Sequence, residues 1–145
     1  MKSIYVFLQH VGNFRTEYLP QSVRSLFIVY SQQTFALETL YFPRAATNIN
    51  LSENRICGSV NLQHLPQKLG VLNLRDNRLS GQLSFFDLPK SLTTIYLQQN
   101  KFRQSTVYYG TLPYALRQVI LTETGVREAI PILEERKGVF QLTRR

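Results

Sequence analysis

Few residues in this chain belong to the types that shuttle protons, attack carbonyls or hold metal ions. There are two histidines, His10 and His64, and one cysteine, Cys57. Neither histidine has a second histidine or a cysteine at metal-ligand spacing, so no zinc site is supported. Cys57 stands beside Gly58 with no histidine periodicity to activate it, and a small, semi-buried structural residue explains it. Glu53 and Asp76 are 23 residues apart, a spacing that invites paired-carboxylate chemistry. Arg75 and other polar neighbours make a surface role an equally good account of them. Neither a G-x-x-x-x-G-K-S/T phosphate loop nor a G-x-G-x-x-G turn is present. The sequence thus names no catalytic residue, metal or cofactor, and the chain reads as a binding protein and not an enzyme.

The spacing that joins Glu53 to Asp76 runs through most of the chain. Leu69, Leu72, Leu74, Asn77 and Leu79 fill the first, fourth, sixth, ninth and eleventh positions of a unit. Twenty-three residues later the same places hold Leu92, Ile95, Leu97, Asn100 and Phe102. Twenty-three residues earlier they hold Ala46, Ile49, Leu51, Asn54 and Ile56. Pro20, Pro43, Pro66, Pro89 and Pro113 each stand three residues before a unit, four of them after leucine and Pro43 after phenylalanine. One extra residue falls in the 108–111 stretch, after which Leu116, Val119, Leu121, Thr124 and Val126 resume the register. An earlier unit fits at Val23, Leu26 and Ile28, but has Ser31 and Gln33 where asparagine and an apolar residue belong.

These residues resemble the leucine-rich-repeat motif L-x-x-L-x-L-x-x-N-x-L over roughly residues 10–127. Leu79-Ser80-Gly81-Gln82-Leu83 and Cys57-Gly58-Ser59-Val60 are similar to the continuation of plant-type units and of some kinetoplastid-like protist repeats. The resemblance implies an α/β-type leucine-rich-repeat solenoid with a parallel concave β-sheet and a mostly irregular or 3₁₀ convex side.

Physical considerations agree. In each unit the fourth and sixth side chains would point into a core shared with neighbouring units. Asn54, Asn77 and Asn100 lie where the chain leaves the strand. There a buried amide can satisfy orphaned backbone groups, and stacked copies form a structural ladder. Ser31 and Thr124 interrupt that ladder near its ends, where solvent is expected to take part of the load. Gly58 and Gly81 supply backbone geometry closed to other residues. Each proline stiffens the approach to a strand. Phe85, Phe86, Leu88 and Leu65 are expected in the core or at its outer edge.

Residues 1–145 read as a single domain. It comprises an incomplete N-terminal unit 1–19, repeats at about 20–42, 43–65, 66–88, 89–112 and 113–127, and a C-terminal cap at 128–145. Ile4–Leu8 is either a first strand or the remnant of a longer array. In the cap, Ile130–Leu133 and Val139–Leu142 are expected to form a small hairpin, with a helix over 126–136 as the other option.

The variable positions of the sheet are the expected binding surface. The third, fifth, seventh and eighth positions carry mainly uncharged hydrogen-bonding groups, with aromatic anchors at Tyr96, Phe27 and Tyr30. Candidate protein contacts are Asn73, Arg75, Asp76, Tyr96, Gln98 and Gln99. Phe27 and Tyr30 lie in an imperfect unit that an end piece could cover.

Charged residues make up 18% of the chain and its net charge is +8, with the excess concentrated after residue 90. Arg55, Arg78 and Lys101 recur at the tenth position as a basic row able to steer an acidic partner. Glu53 and Asp76 dilute that row, and no nucleic-acid recognition module accompanies it. The expected partner is an unidentified protein or peptide, with an acidic one suited to the row. The alternatives are nucleic-acid association through Arg136, Lys137, Arg144 and Arg145, or a degenerate repeat fragment with no retained partner. No stretch approaches the ~20 apolar residues of a transmembrane helix. A lone cysteine favours, without fixing, an intracellular location. Oligomeric state is unspecified.

Overall fold

The computed structural model describes residues 2–7, 12–133 and 136–143. Within them the chain winds as a parallel β-solenoid. Ten strands form: β1 (Lys2–Phe7), β2 (Val23–Val29), β3 (Asn48–Asn50), β4 (Val71–Asn73), β5 (Ser84–Phe85), β6 (Thr94–Tyr96), β7 (Thr106–Tyr109), β8 (Gln118–Leu121), β9 (Glu128–Pro131) and β10 (Phe140–Leu142). Seven make a long sheet in the order β1-β2-β3-β4-β6-β8-β10, and β5-β7-β9 make a second. Neighbouring strands are parallel in both sheets.

Alternation along each strand fixes the register. Leu26 pairs with Ile49, Ile49 with Leu72, Leu72 with Ile95 and Ile95 with Val119. All five are fully buried, as are Ile28, Leu51, Leu74, Leu97 and Leu121 two residues on. A slip of one residue would turn both sets to solvent. The prolines act just upstream. In five successive turns the residue opening the unit (Val23, Ala46, Leu69, Leu92, Leu116) donates its N–H to the proline carbonyl three residues back, at 2.9–3.1 Å. The proline is used there as an acceptor, so its missing N–H costs nothing.

Across the core, three 3₁₀ turns (Thr16–Tyr18, Thr39–Tyr41, Leu62–His64) serve the early units. From β5 onward short strands replace them, because Thr106-Val107-Tyr108-Tyr109 has β-forming residues in alternation. Val107 and Tyr109 are buried there, while Tyr108 is exposed. No α-helix forms among the described residues, and no helix there is long and apolar enough to cross a membrane. Phe85, Leu88 and Leu65 are buried, and Phe86 is half-buried. Gly81 adopts φ +82°, and a Cβ there would stand 3.2 Å from the Ser59 Cβ.

The N-terminal end follows one of its two expected readings, and the C-terminal end departs from its own. Ile4–Leu8 contributes a first strand through Phe7, with Tyr5 opposite Phe27 and Val6 opposite Ile28; Leu8 is outside the described residues. At the other end there is neither hairpin nor helix. The 128–131 strand pairs parallel with β7, and Phe140–Leu142 pairs parallel with β8 in the long sheet. The two segments lie in different sheets because Phe140 and Leu142 continue the alternation of Val119 and Leu121. The Phe140 ring meets Phe85 and Tyr109 at centroid distances of 5.2 and 4.9 Å, joining the two sheets through the core.

Candidate binding face

Asn54, Asn77 and Asn100 are buried at the turn that follows each strand. Asn77 Nδ2 donates to the carbonyls of Leu51, Leu74 and Arg75 at 2.9–3.2 Å, and its Oδ1 accepts from Ile56 N at 3.0 Å. Asn100 repeats the pattern on Leu74, Leu97, Gln98 and Leu79. Asn54 does the same on Ile28, Leu51 and Ser52, and accepts from both Ser31 N and Gln33 N. Solvent is not what replaces asparagine at the two interruptions. Ser31 and Thr124 are themselves buried. Ser31 Oγ donates to the carbonyl of Val29, and Thr124 Oγ1 donates to Leu121 O and accepts from Val126 N. Gln33, buried in place of an apolar residue, donates to Gly12 O and Ser31 O.

This ladder tightens the chain just beyond the strands and fixes how the variable side chains leave the sheet. Tyr30, Glu53, Asp76, Gln99 and Glu123 all adopt the left-handed region, with φ between +53° and +58°. The spacing alone did not reveal this. None of the five is glycine or asparagine, the residue types that usually mark such a backbone. Sequence reading placed them on the surface from register only.

The third- and fifth-position side chains are half-buried along the face. Asn50, Asn73, Tyr96 and Ile120 sit side by side on β3, β4, β6 and β8. Asn73 Oδ1 accepts from Arg75 N at 3.1 Å, so this amide also shapes its own strand end. The seventh position is not uniformly exposed. Val29 and Ser52 are buried, Gln98 is half-buried and Arg75 is open.

Three of the side chains are linked across turns. Arg75 Nε donates to Gln99 Oε1 at 3.1 Å, and Gln99 Nε2 donates to Glu123 Oε2 at 3.2 Å. Gln98 Oε1, next to this chain, is the one buried side-chain oxygen or nitrogen without a partner among the described residues. Asp76 is exposed and stands opposite Tyr30 and Glu53 around a shallow 420 Å³ hollow. The Glu53 carboxylate accepts from the Tyr30 hydroxyl, and that bond, with desolvation second, raises the phenol pKa above its ordinary value. The Tyr5 ring lies over Phe27 at 5.1 Å with an 11° interplanar angle, so the end strand covers that aromatic.

The remaining candidates stand apart. His64 Nδ1 is 3.2 Å from Asn61 Nδ2 on the far side; His10 lies outside the described residues. Cys57 is exposed, with its thiol toward the carbonyls of Thr34 and Phe35. Glu53 and Asp76 occupy successive rungs, and no cluster of three His, Cys, Asp or Glu residues occurs among the described residues. Arg55, Arg78 and Lys101 are exposed on successive turns, their N–H groups donating to Gln33, Ile56 and Leu79. Arg136 holds the carbonyls of Pro113 and Leu116 at 2.6 and 3.0 Å, an inward structural contact. Lys137 is exposed, while Arg144 and Arg145 lie outside the described residues.

Comparison with known proteins finds no matching family model, no matching curated protein and no matching solved structure.

Proposed function

We propose that the chain is a leucine-rich-repeat solenoid that serves as a non-catalytic scaffold, binding a protein or peptide on the outer face of its long sheet. The repeat motif, the parallel pairing in motif register and the asparagine ladder together support the family assignment. The observation that carries the binding reading is the row Asn50–Asn73–Tyr96 on adjacent strands, an aromatic ring among amides and beside the Arg75–Gln99–Glu123 chain. Tyrosine and arginine are favoured at binding hot spots because they combine contact area with directional hydrogen bonds.

The test is capture of a partner by the native chain and by a Tyr96→Ala/Arg75→Glu double variant of matched thermal stability. Both positions are at the surface, so folding should survive the changes. Loss of one specific protein from the variant, with transfer of a photo-crosslink from position 96 to it, is the expected result. Equal capture by both forms overturns the assignment of this face.

A further inference from the structure

The solenoid has two flanks, one where prolines lead the chain into the long sheet and one where asparagines lead it out, and their charges differ. On the asparagine flank Glu53, Asp76 and Glu123 alternate with Arg55, Arg78 and Lys101. On the proline flank there is a cation in every turn: Arg24, Arg44, Lys68, Lys90 and Arg117, all exposed. No carboxylate occurs in the five segments 19–29, 42–52, 65–75, 88–98 and 112–122; exposed Asp87, just before the fourth, lines one hollow with Lys90 and Tyr114.

Backbone bonds show that the turns carrying these residues are consecutive, with Arg24 and Arg117 in one column and Arg44, Lys68 and Lys90 nearer their prolines. Thr47 N donates to Arg24 O, Gly70 N to Thr47 O, Thr93 N to Gly70 O and Arg117 N to Thr93 O, each at 2.8–2.9 Å. The post-proline residues stack likewise, with Arg44 N on the Gln21 side chain and Ser91 Oγ on Gln67 O. At ~4.8 Å per rung, five cations span about 19 Å. Among the described residues the only ion pair within 4 Å is Arg15–Glu17, which involves none of the five.

We propose that this proline flank is a track for a linear phosphate polymer, a single-stranded nucleic acid, bound through its backbone. The N–H groups that open each unit are committed to the proline turns, and those that enter the third to sixth strands of the long sheet are committed to the inter-turn ladder. A ligand on this flank meets side chains, and each of the five rungs presents an exposed cation. A row of spaced point charges matches the evenly spaced charges of a phosphate chain. The fifth rung adds Tyr114, the residue after Pro113. Its ring is 99% exposed, next in line after Lys90 and close in sequence to Arg117, where an unpaired base would stack on it. The track is separate from the face carrying Tyr96, and neither reading depends on the other.

The test uses the full chain and a fluorescent 12-nucleotide oligouridylate, read by anisotropy across a salt series. Five phosphate contacts give a slope of log K against log salt near about −3.5. An Arg44→Glu/Lys68→Glu/Lys90→Glu variant is expected to bind about 100-fold more weakly. Tyr114→Ala is expected to lose about fivefold or more while the salt slope stays unchanged. The control is Arg55→Glu/Arg78→Glu/Lys101→Glu, which changes net charge equally on the other flank and should keep affinity within about threefold. All these positions are exposed, and the glutamine equivalents of both triple variants give a second, milder comparison. Equal losses from the two flanks would overturn the track in favour of bulk charge attraction. Binding to phosphatidylserine vesicles with none to oligouridylate would overturn it in favour of a membrane surface.

Discussion

The side-chain amide of Asn77 reaches back one full turn and donates to the carbonyl of Leu51 at 2.9 Å. The same side chain closes its own turn on Leu74 and Arg75 and accepts from Ile56. One residue thereby ties two coils of the chain at four points.

Removing it should be costly. Asn77→Ala leaves the buried N–H of Ile56 without a partner and takes one of two donors from the carbonyls of Leu51, Leu74 and Arg75, which keep Asn54, Asn100 and Glu53 N. An unpaired buried group costs about 1–3 kcal/mol. Chemical denaturation is expected to show a loss of about 1–3 kcal/mol, larger than for Thr124→Ala, where two bonds are at stake. A loss below 1 kcal/mol for Asn77→Ala would count against the ladder as a source of stability.

The inward-pointing strand residues should behave as a close-packed core. Leu72→Ala removes a side chain that is fully buried between Ile49 and Ile95, and about 2–5 kcal/mol is expected. Val71→Ala, one residue away and half-buried, should cost clearly less. Equal costs would contradict the alternation described for β4.

Gly81→Ala tests the backbone on the far side. At φ +82°, with the new Cβ 3.2 Å from Ser59 Cβ, strain and crowding act together. A destabilisation of about 1–3 kcal/mol is expected in thermal or denaturant unfolding. Gly138→Ala, with no heavy atom within 4 Å of its Cβ, isolates the contribution of positive φ alone.

The Tyr30–Glu53 pair gives a pH signature. The carboxylate raises the phenol pKa, so folding favours the protonated tyrosine. That preference is fully present below the unfolded tyrosine value near ~10 and fades as pH climbs through the folded value. In ring-labelled NMR titrations, Glu53→Gln should lower the Tyr30 midpoint. An unchanged midpoint would mean that the bond does not persist in solution.

Much of the architecture could be read from the chain because one spacing is repeated with the same residue types. Leu72, Ile95 and their equivalents announce the strands, and the prolines announce the turns that precede them. Where the register weakens, legibility fails. Phe140 and Leu142 lie beyond the last proline and asparagine marks, so a local hairpin looked natural although the residues simply extend the inward pattern of Val119 and Leu121. The left-handed row was hidden because tyrosine, glutamate and glutamine give no local cue for it. The candidate face was legible as a set of positions; the Arg75–Gln99–Glu123 chain and the unpartnered Gln98 oxygen depend on how side chains settle between turns. The cationic proline flank was masked by summing charge along the chain instead of across its turns.

The carbonyl of Leu51 meets Asn77, and the carbonyl of Leu74 meets Asn100 in the same way. A coil therefore recognises a type of neighbour and not a particular one. Excising residues 69–91 would bring Leu51 against Asn100 with every donor facing an equivalent acceptor. Duplicating them would splice in a coil whose two surfaces already match those it separates. The 23-residue interval is therefore a unit of exchange as well as a pitch, while the 24 residues from Pro89 to Pro113 show that an outer segment can absorb one residue more without losing the match.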